Sequence, residues 1–140
     1  MLNTHIEHPE DSILTGNLDF LHAVKSYGVA PHGHVSVKID GSPAIVWGTH
    51  PVTHKFFVGT KSVFNKKLIK VNYTHNDIDR NHKGYVAIVL HACLSNLPKT
   101  EDIYQGDFLG FGGDSVFQPN TVTYVFPEII EHTMIVAPHT

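Results

Sequence analysis

An α+β fold built on a mostly antiparallel sheet follows from three features of the 140-residue sequence. Strand-like runs dominate its middle and its C-terminal third, Gly- and Pro-containing turns join them closely, and two helix-patterned segments fall outside those runs. This length suits a single domain over residues 1–140, large enough to bury a core. With 41% hydrophobic and 16% charged residues the chain is too apolar for a disordered segment and too polar for a membrane-embedded one. No apolar run approaches the roughly 20 residues of a spanning helix. The first residues, MLNTHIEHPED, are acidic and polar, unlike a signal peptide. The one cysteine, Cys93, has no internal partner for a disulfide, so a reducing cytoplasm is the expected compartment.

The elements follow in chain order. NLDFLHAVKSYG (17–28) predicts a short helix, with Asn17 as N-cap, Leu18, Leu21 and Val24 at helical spacing, and Gly28 as its stop. HVSVKID (34–40) alternates as a strand, with Val35, Val37 and Ile39 on one face and His34, Ser36, Lys38 and Asp40 on the other. Gly41-Ser42 is turn chemistry, and PAIVWG returns as a second strand. KFFVGT (55–60) predicts a third strand and VFNKKLIKV (63–71) a fourth. GYVAIVLHACLSNLP (84–98) is the clearest helix: Val86, Val89, Leu90, Cys93, Leu94 and Leu97 form one apolar stripe, and Pro98 ends it. IYQGDFLGFGG, TVTYVFPEII and TMIVAP complete the strand segments.

Net charge is −3 but unevenly spread. Between Gly41 and Asn76 there is no acid, yet there are Lys55, Lys61, Lys66, Lys67 and Lys70. From Thr100 onward there are six acids and no Lys or Arg. A local basic stretch in a nearly neutral chain fits one anion-facing surface, and equally a solvated lysine face.

Lys38 stands within an alternating run, two residues before Asp40-Gly41. Either it points to solvent from an ordinary hairpin, or its amine is a reagent. A nucleophilic amine needs its pKa brought down from about 10.4 toward neutrality by burial or a neighbouring cation. Asp40 works against that, so in the reagent reading it orients the lysine or binds a metal.

The segment K-I-D-G (38–41) resembles motif I, K-x-D-G, of the covalent nucleotidyltransferases, the DNA ligases, RNA ligases and mRNA capping enzymes. FVGTKS (57–62) looks like their second element, with Lys61 as its basic residue. YQGDFLG (104–110) is similar to motif III, with Asp107 in the place of the usual glutamate. TVTYVFPEII (121–130) resembles the aromatic element that follows, with Phe126 first and Tyr124 second as the base-stacking ring. The sequence is also similar to uncharacterised proteins of tailed phages, especially those of marine cyanobacteria.

The resemblance implies a ligase-type adenylation fold that is incomplete at its C-terminus, with ATP as substrate and Mg²⁺ taken from solution. It implies Lys38 as the nucleophile that forms a lysyl-AMP intermediate for nucleic-acid end joining. It further implies Asp40 and Gly41 shaping the turn, Lys61 on phosphate or ribose, and Asp107 on the ribose. Its partners would be a nucleotide and a nucleic acid, the latter met by Lys66, Lys67 and Lys70. The compartment is then the cytoplasm, the host's for a phage-encoded chain.

The departures bear on activity. Pro43 stands where DNA ligases carry arginine, motif IV has no match, and no lysine follows Lys99 to serve as motif V. Without that phosphate clamp, much of the electrostatic stabilisation of phosphoryl transfer is missing. A catalytically incomplete nucleotide- or nucleic-acid-binding module of the same fold is therefore the alternative expectation, and a structural or host-interaction protein a third. Twelve histidines form no recognisable zinc pattern with one cysteine. GDFLGFGGD lacks the lysine of a P-loop.

Overall fold

The centre of the described unit is a strand that is apolar on both faces. AIVWGT folds as β1 (Ala44–Thr49), whose four middle residues are all buried, as expected for an interior strand covered on both sides. The computed structural model describes residues 39–140, which form one compact unit; the predicted helix 17–28 and Lys38 lie outside the described residues. In chain order the further elements are β2 (Phe56–Gly59), a 3-10 helix (Lys61–Phe64), α1 (His75–Asn81), α2 (Gly84–Asn96), β3 (Tyr104–Phe111), β4 (Val116–Phe117), β5 (Tyr124–Val125) and β6 (Met134–Pro138).

Four strands form one sheet in the order β2-β1-β3-β6, and β4 with β5 form a small second one. Every described strand pair is antiparallel. The α+β class with a mostly antiparallel sheet is therefore as the sequence predicts, and of the two predicted helices 84–98 is seen as α2, whereas α1 is not among the predicted elements. β1 pairs with β2 from Val46↔Gly59 to Thr49↔Phe56, and with β3 from Ala44↔Asp107 to Trp47↔Tyr104. Ile45 and Trp47 from β1, Val58 from β2 and Phe108 from β3 meet Ile78 of α1 and Val89, Leu90 and Cys93 of α2 in a single cluster. The α2 residues in that cluster belong to the apolar stripe read from the sequence.

Three segments differ from expectation: 63–71, 75–81 and 121–130. Residues 63–71 do not form a fourth strand. Lys61–Phe64 turn as a 3-10 helix capped by the Thr60 side chain, and the chain rejoins the sheet only through an isolated bridge, Val58↔Asn72. The sequence explains this: Lys66-Lys67 and Leu68-Ile69 are adjacent like pairs, so no alternating face exists to bury. Leu68 and Ile69 are accordingly 65% and 60% exposed.

The seven residues of α1 carry almost no apolar signal, and only Ile78 is buried. Its start is a capping box: Thr74 accepts from the Asp77 N–H, and the Asp77 carboxylate accepts from the Thr74 N–H. TVTYVFPEII contributes just two strand residues, β5, before Pro127. The β4–β5 hairpin packs on β3 at Gly110, where a Cβ would come within 2.5 Å of the Phe117 ring.

Candidate functional site

The two segments that look like motifs I and III come together at one end of the central strand pair. Beyond the register Ala44↔Asp107, the ladder runs on outside the named strand: Phe108 N–H donates to Pro43 O at 3.0 Å, and Ser42 N–H to Phe108 O at 2.9 Å. These bonds lay Gly41 against β3. Its N–H donates to Asp107 Oδ2 at 3.3 Å. A Cβ at position 41 would stand 2.5 Å from Phe108 O and 3.0 Å from Asp107 Cβ, so glycine is needed for the close approach itself.

Asp107 is a buried acid, only 6% exposed. A buried carboxylate requires partners. Oδ2 has Gly41, and Oδ1 faces His139 Nε2 at 3.7 Å, an ion pair whenever that imidazole is protonated. His139 follows β6, whose pairing Gly106↔Pro138 and Asp107↔Ala137 sets it there. Its backbone N–H donates to Gln105 O at 2.9 Å. Nothing in the local sequence around His139 marks it; only the pairing of two strands distant in the chain does so.

Tyr124 closes the other side of the turn. Its hydroxyl accepts from the Asp40 N–H at 2.7 Å and donates to the Asp40 carbonyl at 2.8 Å. One phenol thus engages both backbone groups of a single residue. Phe126 turns its ring edge-on to Phe117, with centroids 5.8 Å apart, and its N–H bonds to Ser115 O. Of the two aromatic candidates it is therefore Tyr124 that reaches the Asp40-Gly41 turn.

The lysines are placed differently. Lys61 is exposed at the start of the 3-10 helix, and no hydrogen bond or ion pair joins it to Asp40 or Asp107 among the described residues. Lys66 and Lys67 are exposed on the loop that follows. Lys70 is committed to packing: its Nζ donates to Asn81 O at 2.9 Å, the last carbonyl of α1. This is a favourable position for a cation, because the last helical carbonyls lack intrahelical donors.

Nearby, the buried Asn72 donates to Val58 O, contacts His82 Nε2 and accepts from Asn81 Nδ2. Burial, and then the neighbouring Lys70, lower the His82 pKa from its ordinary value. Among the described residues no group of three or more His, Cys, Asp or Glu side chains is placed to hold a metal ion, and no helix is long and apolar enough to cross a membrane.

The arrangement offers a glycine turn fixed from two sides, a buried carboxylate beneath it and an imidazole beside that carboxylate. No curated protein and no solved structure matches the chain. A family model matches residues 3–140, so the chain belongs to DUF6267, a family of unknown function.

Proposed function

We propose that the chain is an ATP-dependent nucleotidyltransferase module of the DNA- and RNA-ligase type, with Lys38 as its nucleophile. One observation carries the reading: the K-I-D-G and Y-Q-G-D segments, far apart in sequence, adjoin through the Gly41 N–H and the Asp107 carboxylate. In the proposed step the neutral Lys38 amine attacks the α-phosphorus of ATP. The N–P bond forms, the bond to the β-phosphate oxygen breaks, pyrophosphate leaves with the electron pair, and the amine loses a proton. Mg²⁺ arrives on the phosphates rather than in a preformed cage.

Asp107 meets the ribose in this reading, Lys61 the phosphates or ribose, and Phe126 the base. Asp40 and Gly41 shape the turn, and Tyr124 holds it. Lys66 and Lys67 meet a nucleic-acid end.

A second reading is a binding module that keeps the nucleotide pocket and performs no covalent chemistry. It is favoured by Asp107 already having Gly41 and His139 beside it. Intact-mass measurement after incubation with ATP and Mg²⁺, beside a Lys38→Ala control, separates the two. An added AMP mass that the control lacks is the expected result. An unmodified protein whose melting temperature still rises with ATP would leave the binding module standing. No adduct and no thermal shift would remove both.

A further inference from the structure

Away from that turn, three side chains on the two helices form a continuous hydrogen-bonded chain. His75 and Asp79 lie four residues apart on α1, hence on one face. His91 of α2 bridges them. Its Nε2 is 2.8 Å from Asp79 Oδ1, and its Nδ1 is 2.7 Å from His75 Nδ1. The ring centres are 4.9 Å apart and the planes only 17° from parallel. A nitrogen–nitrogen distance of 2.7 Å is a hydrogen-bond length. It is too short for face-to-face contact, so the imidazoles meet edge to edge in nearly one plane.

The chain fixes where the protons are. An ionised carboxylate only accepts, so His91 Nε2 carries hydrogen. The neutral ring then has an accepting Nδ1, which requires His75 to donate from its own Nδ1. His75 Nε2 is left with its lone pair. A first proton can enter there without disturbing either bond. A second proton puts hydrogens on both facing nitrogens, and the bond between the rings is lost.

We propose that Asp79, His91 and His75 form a titrating latch that holds α1 on α2 and opens when both imidazoles are protonated. Among the described residues the charged surroundings are simple. From α2 there is no Asp, Glu, Lys or Arg, and His91 is its only imidazole. On α1, Asp77 is paired with Arg80, and Lys83, the N-cap of α2, donates to the Asp79 backbone carbonyl at 2.9 Å. From the preceding loop, Lys70 meets Asn81 O. The far end of α1 is thus tied to the segment that carries Lys66 and Lys67, and opening the latch loosens that segment from the helix side.

His82, at the α1 C-cap, responds to acid in the same direction. Its folded pKa lies below the ordinary 6.5, so its contribution is intact above that pH and is lost as pH falls through the folded value. A His82→Gln background removes this contribution, because a glutamine oxygen accepts from Asn72 without titrating.

The test is amide hydrogen exchange of the full chain in that background, followed by NMR from about pH 8 to about pH 5. Protection of the Ile78 to Asn81 amides should fall about tenfold relative to β1 and β3, the scale of one hydrogen bond to a charged group. Adding His75→Gln, whose carboxamide donates to His91 Nδ1 but takes up no proton, should flatten that fall. The latch is refuted if His75→Gln leaves the fall unchanged, or if helix and sheet lose protection in step. Imidazole ¹⁵N shifts of the unaltered chain at about pH 8 give an independent reading. Hydrogen on His75 Nδ1 and His91 Nε2 is expected, and the opposite tautomers would overturn the proposal without any variant.

Discussion

Tyr124 shows how much one atom can organise. Its hydroxyl bonds both the N–H and the carbonyl of Asp40. Tyr124→Phe keeps the ring and removes both bonds, so a loss of about 1–2 kcal/mol is expected in urea unfolding. Under the proposed function the same variant should slow AMP transfer, because Asp40 sits two residues from Lys38. An unchanged unfolding midpoint would show that the clamp contributes nothing. Cys93 offers a contrasting case. Burial pushes its thiol up to about 12, so at neutral pH almost no thiolate exists to react. A thiol-specific reagent should label it only after denaturation, and rapid labelling of the native chain would contradict its place in the core. At this scale the sequence placed Cys93 in the core through its helical stripe, while Asp107 was singled out only by the resemblance of YQGDFLG to motif III and its burial had no local signal. The resemblance that put Phe126 before Tyr124 concerns a ring over a base, and it carries no information on which hydroxyl finds a distant backbone.

Helix α1 is a short element held at both ends by polar contacts. At its start, Thr74 and Asp77 exchange hydrogen bonds; at its end, Lys70 reaches Asn81 O. Replacing Thr74 with alanine removes the N-cap and should cost about 1 kcal/mol, visible as a lower urea midpoint with unchanged slope. Acid should act on the same cap. Partial burial works to raise the Asp77 pKa, but the Thr74 side chain, the Tyr73 and Thr74 N–H groups and Arg80 together bring it below 3.8. That contribution is present above the ordinary carboxylate value and is lost as pH falls through the folded one. Asp77→Asn should therefore reduce the stability difference between neutral and strongly acidic pH. This helix was hard to read because its one buried residue, Ile78, gives no periodicity; the T-x-x-D spacing was its only mark. Helix α2 was readable for the opposite reason, since its apolar stripe persists through three turns. The 63–71 segment misled because β-favouring residues occur there without alternation, and tertiary pairing needs a face to bury.

Across the whole molecule the two signs of charge are sorted along the chain, with lysines alone from Gly41 to Asn76 and acids alone from Thr100 onward. Sorting of this kind shows in sequence counts. What the counts do not tell is which lysines remain available, and the fold removes Lys70 from that set by placing it on the α1 carbonyl. Lys61, Lys66 and Lys67 stay exposed on consecutive segments. If these three each neutralise one phosphate of a single strand, the logarithm of affinity should fall with the logarithm of salt at a slope of roughly −2. Fluorescence anisotropy with a short labelled oligonucleotide measures it directly. Replacing Lys66 and Lys67 together with alanine should bring the slope to roughly −0.7, while the urea midpoint stays where it was because both side chains are exposed. Lys70→Ala should do the reverse, lowering the midpoint by uncapping α1 and leaving the slope alone. A slope that ignores Lys66 and Lys67 would make this face an ordinary solvated surface, and the basic stretch would then have no part in binding.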